Sequence, residues 1–96
     1  MRSRVTKDFR DLFAALPAHV QKQAEDAYAL FQQNPYHPSL HFKPVKGRSS
    51  YYSARVGIHF RVLAYQDGEE FVWFWIGTHS DYDKIVAQFQ ADLSGY

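Results

Sequence analysis

The segment FVWFWI, residues 71–76, constrains the fold of this chain more than any other, because its six residues are all apolar and two are tryptophan. A strand with apolar side chains on both faces lies inside a protein, where other elements cover it. The segment is much shorter than the roughly 18 apolar residues that cross a membrane. We therefore predict a central strand of a sheet, with helices packed on one side.

Two helices are predicted before this strand. Apolar residues recur at helical spacing over residues 9–16 and again over residues 20–31. Pro17 lies between these two patterns and suits the first position of the second helix. The segment NPYHP, residues 34–38, ends that helix. The sequence thus predicts a helical hairpin.

Further strands and a last helix complete the predicted order of elements. LHFKPV, YYSARV and HFRVLAY are typical of strands, and a tight turn at Gly57 joins the last two. The Asp67-Gly68 pair is a hairpin signal that leads into residues 71–76. The segment SDYDKIVAQF follows and favours a short helix that is capped by Ser80.

These elements predict one α+β domain over residues 1–96, a length typical of a single domain. The N-terminal helical hairpin packs on an antiparallel meander sheet, and a short C-terminal helix follows. The first residues, RSRVTKDF, are predicted as a short strand or an extended arm. The N-terminus lacks the apolar stretch of a secretory signal and the chain has no cysteine, which fits a cytoplasmic protein.

The charges are distributed unevenly along the chain, although the formal net charge is only +1. No acidic residue occurs between Asp26 and Asp67. A segment of one sign suggests an anionic partner, either a nucleic acid or an acidic protein, although it is also compatible with a solvated basic face. The basic residues of this interval are Lys43, Lys46, Arg48, Arg55 and Arg61, with His37, His41 and His59.

Several polar residues are predicted to meet at one end of the sheet. The Gly57 turn brings Arg55 close to His59, and His79 lies just past the same end. A two-residue turn at 67–68 would place Arg61 opposite Phe74. We expect a polar cluster held by the apolar strand.

Such a cluster has the groups that RNA cleavage without a metal requires. A base takes the proton of the ribose 2′-hydroxyl, cationic donors stabilise the phosphate, and an acid protonates the leaving oxygen. Histidine suits the first and third tasks, and arginine suits the second. His37 and His41 have a metal-ligand spacing but lie in a proline-containing loop, so we predict no metal site and no cofactor.

Simpler interpretations exist for each of these residues. Arg61 on a half-buried strand is also able to pair with Asp81 or with a C-terminal carboxylate. His79 is compatible with a plain helix-entry residue, and His59 with a surface residue beside a turn. Trp73 and Trp75 are predicted as core residues.

The motifs ARVGIHFRVLAY, residues 54–65, and WIGTHSDYDKI, residues 75–85, resemble the RelE/ParE superfamily of bacterial toxins. These are the toxin halves of type II toxin–antitoxin pairs, and the resemblance covers nearly the whole chain. It implies a cognate antitoxin partner. It also implies one of two activities, a ribosome-dependent mRNA endoribonuclease that blocks translation or a ParE-like DNA gyrase inhibitor. A non-catalytic interaction module with a toxin fold is a third alternative.

The resemblance also implies roles for individual residues. Arg61 matches the position that contacts the scissile phosphate, and His79 matches a position that takes part in catalysis. Tyr82 is the nearest candidate for proton transfer, and Asp81 is a further one. The general base stays open among His79, His59, Tyr82 and Asp81. The residues expected to bind RNA are Lys43, Lys46, Arg48, Arg55 and His59.

Overall fold

The computed structural model describes residues 2–94, with side chains through residue 89. The chain forms, in order, β1 (Arg2–Val5), α1 (Lys7–Ala14), α2 (Ala18–Gln33), a turn of 3₁₀ helix (Pro38–Leu40), β2 (Lys43–Val45), β3 (Arg48–Val56), β4 (Phe60–Asp67), β5 (Glu70–Thr78) and α3 (His79–Ser94). The predicted α+β fold is confirmed. None of the helices in this described part is long and apolar enough to cross a membrane.

The strands form one sheet in the order β1-β5-β4-β3-β2. Strands β2 to β5 are the predicted antiparallel meander. The N-terminal segment is a strand, and it pairs in parallel with β5 from Arg2 opposite Glu70 to Val5 opposite Trp73. The apolar strand β5 therefore has a neighbour on each side along this stretch.

Helices cover both faces of the sheet, which explains why β5 is apolar throughout. One core cluster, which includes Phe31 of α2 together with Val62 and Trp73, lies under the helical hairpin. A second cluster contains Leu63 and Tyr82 and lies under α3. The covering by α3 goes beyond the prediction, which placed helices on one side only.

The turn between β4 and β5 is one residue further along the chain than predicted. Asp67 pairs with Glu70, so the two turn residues are Gly68 and Glu69. Gly68 has a φ of 62°, a conformation that glycine adopts without a steric penalty. The position of this glycine fixes the turn.

A β-bulge shifts the register again within the same hairpin. Leu63 lies opposite Trp75, and the irregularity beside it leaves Phe74 as the extra residue of β5. As a result, Arg61 lies opposite Gly77, and the predicted pairing of Arg61 with Phe74 is wrong. The bulge brings Arg61 level with the end of β5, next to the start of α3.

Candidate active site

Two arginines lie side by side near the Gly57 turn. Arg55 on β3 is directly opposite Arg61 on β4, so both side chains leave the same face of the sheet. This is the face that carries Leu63 and is covered by α3. The register of the hairpin thus places two guanidinium groups at one end of this face.

The guanidinium group of Arg61 is almost completely buried, and two of its nitrogens lack a hydrogen-bond acceptor among the described residues. The residue is only 8% exposed, and its Nε and Nη1 atoms have no hydrogen-bond partner in the described part of the chain. Its Cζ atom lies 5.2 Å from the centroid of the Tyr82 ring. A cation–π contact contributes about 0.5–2 kcal/mol, whereas burying an ion costs several kcal/mol. Tyr82 therefore compensates this burial only in part.

Two more buried polar groups on this face have no hydrogen-bond partner among the described residues. They are the Nε atom of Arg55 and the hydroxyl of Ser53, which is fully buried two residues earlier on β3. Buried polar groups are nearly always hydrogen-bonded, and exceptions call for an explanation. The unpaired N–H groups of two guanidinium ions are all donors, so an anion is the ligand that satisfies them.

The N-terminus of α3 is attached to the Gly57 turn. The backbone N–H of His79 donates to the carbonyl of His59 at 2.8 Å. The predicted meeting of these two histidines with Arg55 at one end of the sheet is confirmed. His59 itself lies in the turn rather than on the strand and is exposed.

The imidazole of His79 is held between a carboxylate and a ring. Its Nδ1 atom lies 3.2 Å from Oδ2 of Asp83, one helical turn along α3. Its ring centroid is 6.1 Å from that of Tyr82, in an edge-on arrangement. The side chain remains 49% exposed. Tyr82, itself 9% exposed, thus contacts His79 on one side and Arg61 on the other.

The cap of α3 differs from the prediction. The Thr78 hydroxyl accepts a hydrogen bond from the backbone N–H of Asp81 at 3.1 Å, so Thr78 rather than Ser80 caps the helix. The Asp81 carboxylate is 62% exposed and lies 4.0 Å from Nζ of Lys84. The alternative in which Asp81 pairs with Arg61 is therefore wrong. The C-terminal carboxylates, its other predicted partners, lie outside the residues whose side chains the structure describes.

The residues expected to bind RNA fall into two groups. Lys43 lies on β2 opposite Ser53, on the side of the arginine pair. Lys46 is in the β2–β3 turn, and Arg48 begins β3, about 23 Å from Arg55 at 3.3 Å per residue. The Cζ atom of Arg48 lies 5.1 Å from the centroid of Phe89 on α3. A phosphate bound at the arginine pair is therefore within reach of Lys43 but not of Lys46 or Arg48.

His41 was not among the predicted site residues, yet it lies beside the arginine pair. Its pKa is lowered, chiefly by the positive charge of Arg55, then by desolvation, Arg61 and Lys43. The sequence signal for it is weak, because only its position two residues before Lys43 places it near the cluster. His37, by contrast, uses Nδ1 to accept the backbone N–H of Ser39 at 3.2 Å.

The described residues contain no group of three or more metal-ligating side chains. His37 and His41, the two histidines with a metal-ligand spacing, therefore have no third ligand in this part of the chain. We derive the chemistry of the site from its cationic and imidazole groups.

This chain is similar to known toxin proteins in sequence family and in fold. The family model for the ParE-like toxin domain matches residues 18–84. The RelB-RelE antitoxin-toxin complex from Methanococcus jannaschii is similar with a TM-score of 0.67 at 23% identity, over 83% of this chain and 95% of that chain. The YoeB/ParE toxin from Agrobacterium tumefaciens is similar with a TM-score of 0.65 at 18% identity, over 82% and 99%.

A third similar structure is the toxin-antitoxin complex RelBE2 from Mycobacterium tuberculosis, with a TM-score of 0.62 at 24% identity over 81% of this chain and 96% of that chain. No curated protein sequence matches this chain significantly. At these identities the solved structures establish a common fold, whereas the family model covers the segment from α2 to the first turns of α3.

Proposed function

This chain belongs to the ParE-like toxin domain family and is the toxin of a toxin–antitoxin system, and we propose that it is an endoribonuclease that cleaves mRNA on the ribosome. The cleavage blocks translation. Action on the ribosome implies a cytoplasmic location. The reaction proposed below needs no metal ion.

The observation that carries this proposal is that Nε of Arg55 and both Nε and Nη1 of Arg61 are buried without a hydrogen-bond partner among the described residues. Buried donors without acceptors destabilise a fold, so their presence here favours a role in binding rather than in stability. A phosphate group of RNA supplies several anionic acceptor oxygens to a pair of arginines. An inhibitor that acts only by binding a protein surface has no need for a buried guanidinium next to an imidazole.

The proposed reaction is an attack by the ribose on its own phosphodiester. The 2′-oxygen forms a bond to phosphorus and loses its proton to a base, while the bond from phosphorus to the 5′-oxygen breaks and an acid protonates that oxygen. Arg55 and Arg61 stabilise the charge that develops on the phosphate. His79 is the acid, because it is half exposed and lies one ring away from Arg61.

An antitoxin is the proposed protein partner. Two of the similar structures are complexes of a toxin with its antitoxin. An antitoxin carrying acidic residues would complement the cations on the α3 side of the sheet and block access of RNA to Arg55 and Arg61.

Induction of the wild-type chain and of single variants in a bacterium without the antitoxin tests the proposal. We expect wild type and the control Arg10→Ala, on the exposed surface of α1, to stop growth and to produce cleaved mRNA ends that require ribosomes. Arg61→Met and His79→Ala are expected to abolish both effects.

Other outcomes identify the alternatives. Growth arrest without mRNA cleavage, retained in Arg61→Met and accompanied by loss of DNA supercoiling, would indicate a gyrase inhibitor. A wild-type chain that does not inhibit growth would indicate an interaction module. Either result contradicts the proposed nuclease activity.

A further inference from the structure

His41 adopts a backbone conformation that is uncommon for residues other than glycine. Its φ of 47° and ψ of 40° are left-handed, and it is the only described residue other than glycine with a positive φ. It ends the 3₁₀ turn, where its N–H is 3.4 Å from the carbonyl oxygen of Pro38. Glycine or asparagine suits such a position better, and strained residues concentrate at functional sites.

The surroundings of His41 are cationic on each neighbouring element. Lys43 on β2 pairs with Ser53, so His41, two residues before Lys43, lies level with Arg55, two residues after Ser53 on β3. Arg61 on β4 is the partner of Arg55. These charges and partial desolvation lower the pKa of His41 below its ordinary value. His41 is exposed, so at neutral pH it offers solvent an uncharged imidazole with a free lone pair.

The sheet arranges four site residues in a row. His41 precedes β2, Arg55 lies on β3, Arg61 on β4 and His79 directly after β5, and these four strands are consecutive neighbours. Strands lie about 4.8 Å apart, so about 14 Å separate the outer two strands. The two imidazoles therefore flank the two guanidinium groups. This order suits in-line displacement, in which the attacking and leaving oxygens lie on opposite sides of phosphorus.

Given the proposed nuclease function, on which this inference rests, we propose that His41 is the general base of the reaction. A nitrogen of its imidazole accepts the proton of the 2′-hydroxyl as the 2′-oxygen bonds to phosphorus. His79, on the other side of the arginine pair, gives a proton to the departing 5′-oxygen. After one turnover His41 is protonated and His79 is neutral, and exchange with water restores both.

The pH dependence of mRNA cleavage on purified ribosomes tests this assignment. His41→Asn keeps a residue that tolerates the left-handed backbone but removes the titrating group. We expect it to lower the single-turnover rate by about 10²-fold or more while RNA binding is retained. His19→Asn, which alters an exposed histidine on α2, is the matched control and should cleave at the wild-type rate.

The acidic limb of the rate profile is the second readout. The wild-type rate should fall as pH drops through the pKa of His41, and NMR titration of the wild-type imidazole should give the same midpoint. The residual activity of His41→Asn should lack this limb.

Three results would overturn the assignment. One is cleavage by His41→Asn at the wild-type rate, and another is an acidic limb that survives in this variant. The third is a limb whose midpoint matches the titration of His59 or His79 instead of His41. Failure of the wild-type chain to cleave mRNA on ribosomes would instead contradict the proposed nuclease activity and, with it, the assignment of His41 as the general base.

Discussion

Arg61 is held in surroundings that oppose its charge. Its guanidinium is buried against an aromatic ring, and in the described part of the chain its Nε and Nη1 atoms donate to nothing. Breaking or omitting the partner of a buried ion is strongly unfavourable, whereas well-packed apolar replacements are often neutral or stabilising. In the proposed function, this loss of fold stability leaves Arg61 available to bind an anion.

We predict that Arg61→Met raises the free energy of unfolding by about 1–3 kcal/mol. Methionine fills a similar volume next to Tyr82 and introduces no unpaired donor. Urea denaturation of the purified chain measures the change. Arg61→Lys keeps a buried cation and should bring no comparable gain, and an Arg61→Met variant less stable than wild type would contradict the argument.

At the same scale, residue type and order predict some site residues and not others. Arg61 and His79 are recognisable because they follow a hairpin signal and an apolar strand. Ser53 and His41 are not, because their importance depends on burial and on a positive φ that arise only when β2, β3 and β4 pack together. Sequence spacing alone predicts neither the burial of Ser53 nor the positive φ of His41.

At the scale of elements, α3 is the part whose position decides the geometry of the site. Its first residue carries the proposed acid, and its Tyr82 covers Arg61. The helix is fixed at its start by the Thr78 cap and by the hydrogen bond from His79 to His59. Loss of the cap is therefore expected to affect both stability and the proposed catalysis.

We predict that Thr78→Ala lowers the free energy of unfolding by about 1 kcal/mol, because the N–H of Asp81 loses its acceptor. It should also reduce mRNA cleavage, since His79 follows directly. Ser80→Ala is the matched control, and it should change stability little because Ser80 does not cap the helix. Thermal unfolding of the two variants makes the comparison, and equal losses would show that the cap assignment is wrong.

The order and type of the elements were predictable, but the register of β5 was not. Helical spacing and turn residues indicate the hairpin, the meander and the last helix. Alternation of apolar and polar residues normally reveals which face a residue occupies. Residues 71–76 are apolar at every position, so this signal is lost and the bulge at Phe74 leaves no trace in the sequence.

For the whole molecule, the low net charge conceals a local excess of cations. The formal charge is only +1, yet Lys43, Arg55 and Arg61 surround one histidine on the α3 side of the sheet. A ligand that binds the folded chain and not the unfolded one raises its stability by mass action. Anion binding at this cluster should therefore be visible as thermal stabilisation.

We predict that an RNA oligonucleotide with a 2′-deoxy substitution at the cleavage position raises the melting temperature of the wild-type chain. At a hundred times its Kd, the gain is about 2.7 kcal/mol, or about 13 °C for a domain of this size. The double variant Arg55→Met/Arg61→Met should show little of this shift. A shift that persists in the double variant would place the anion elsewhere, for example at Lys46 and Arg48.

The parallel pairing of β1 with β5 has a consequence for biosynthesis. Arg2 is translated well before its partner Glu70, and His79 follows later still. A nascent chain therefore has neither the complete sheet nor the proposed acid until β5 and the start of α3 have been translated.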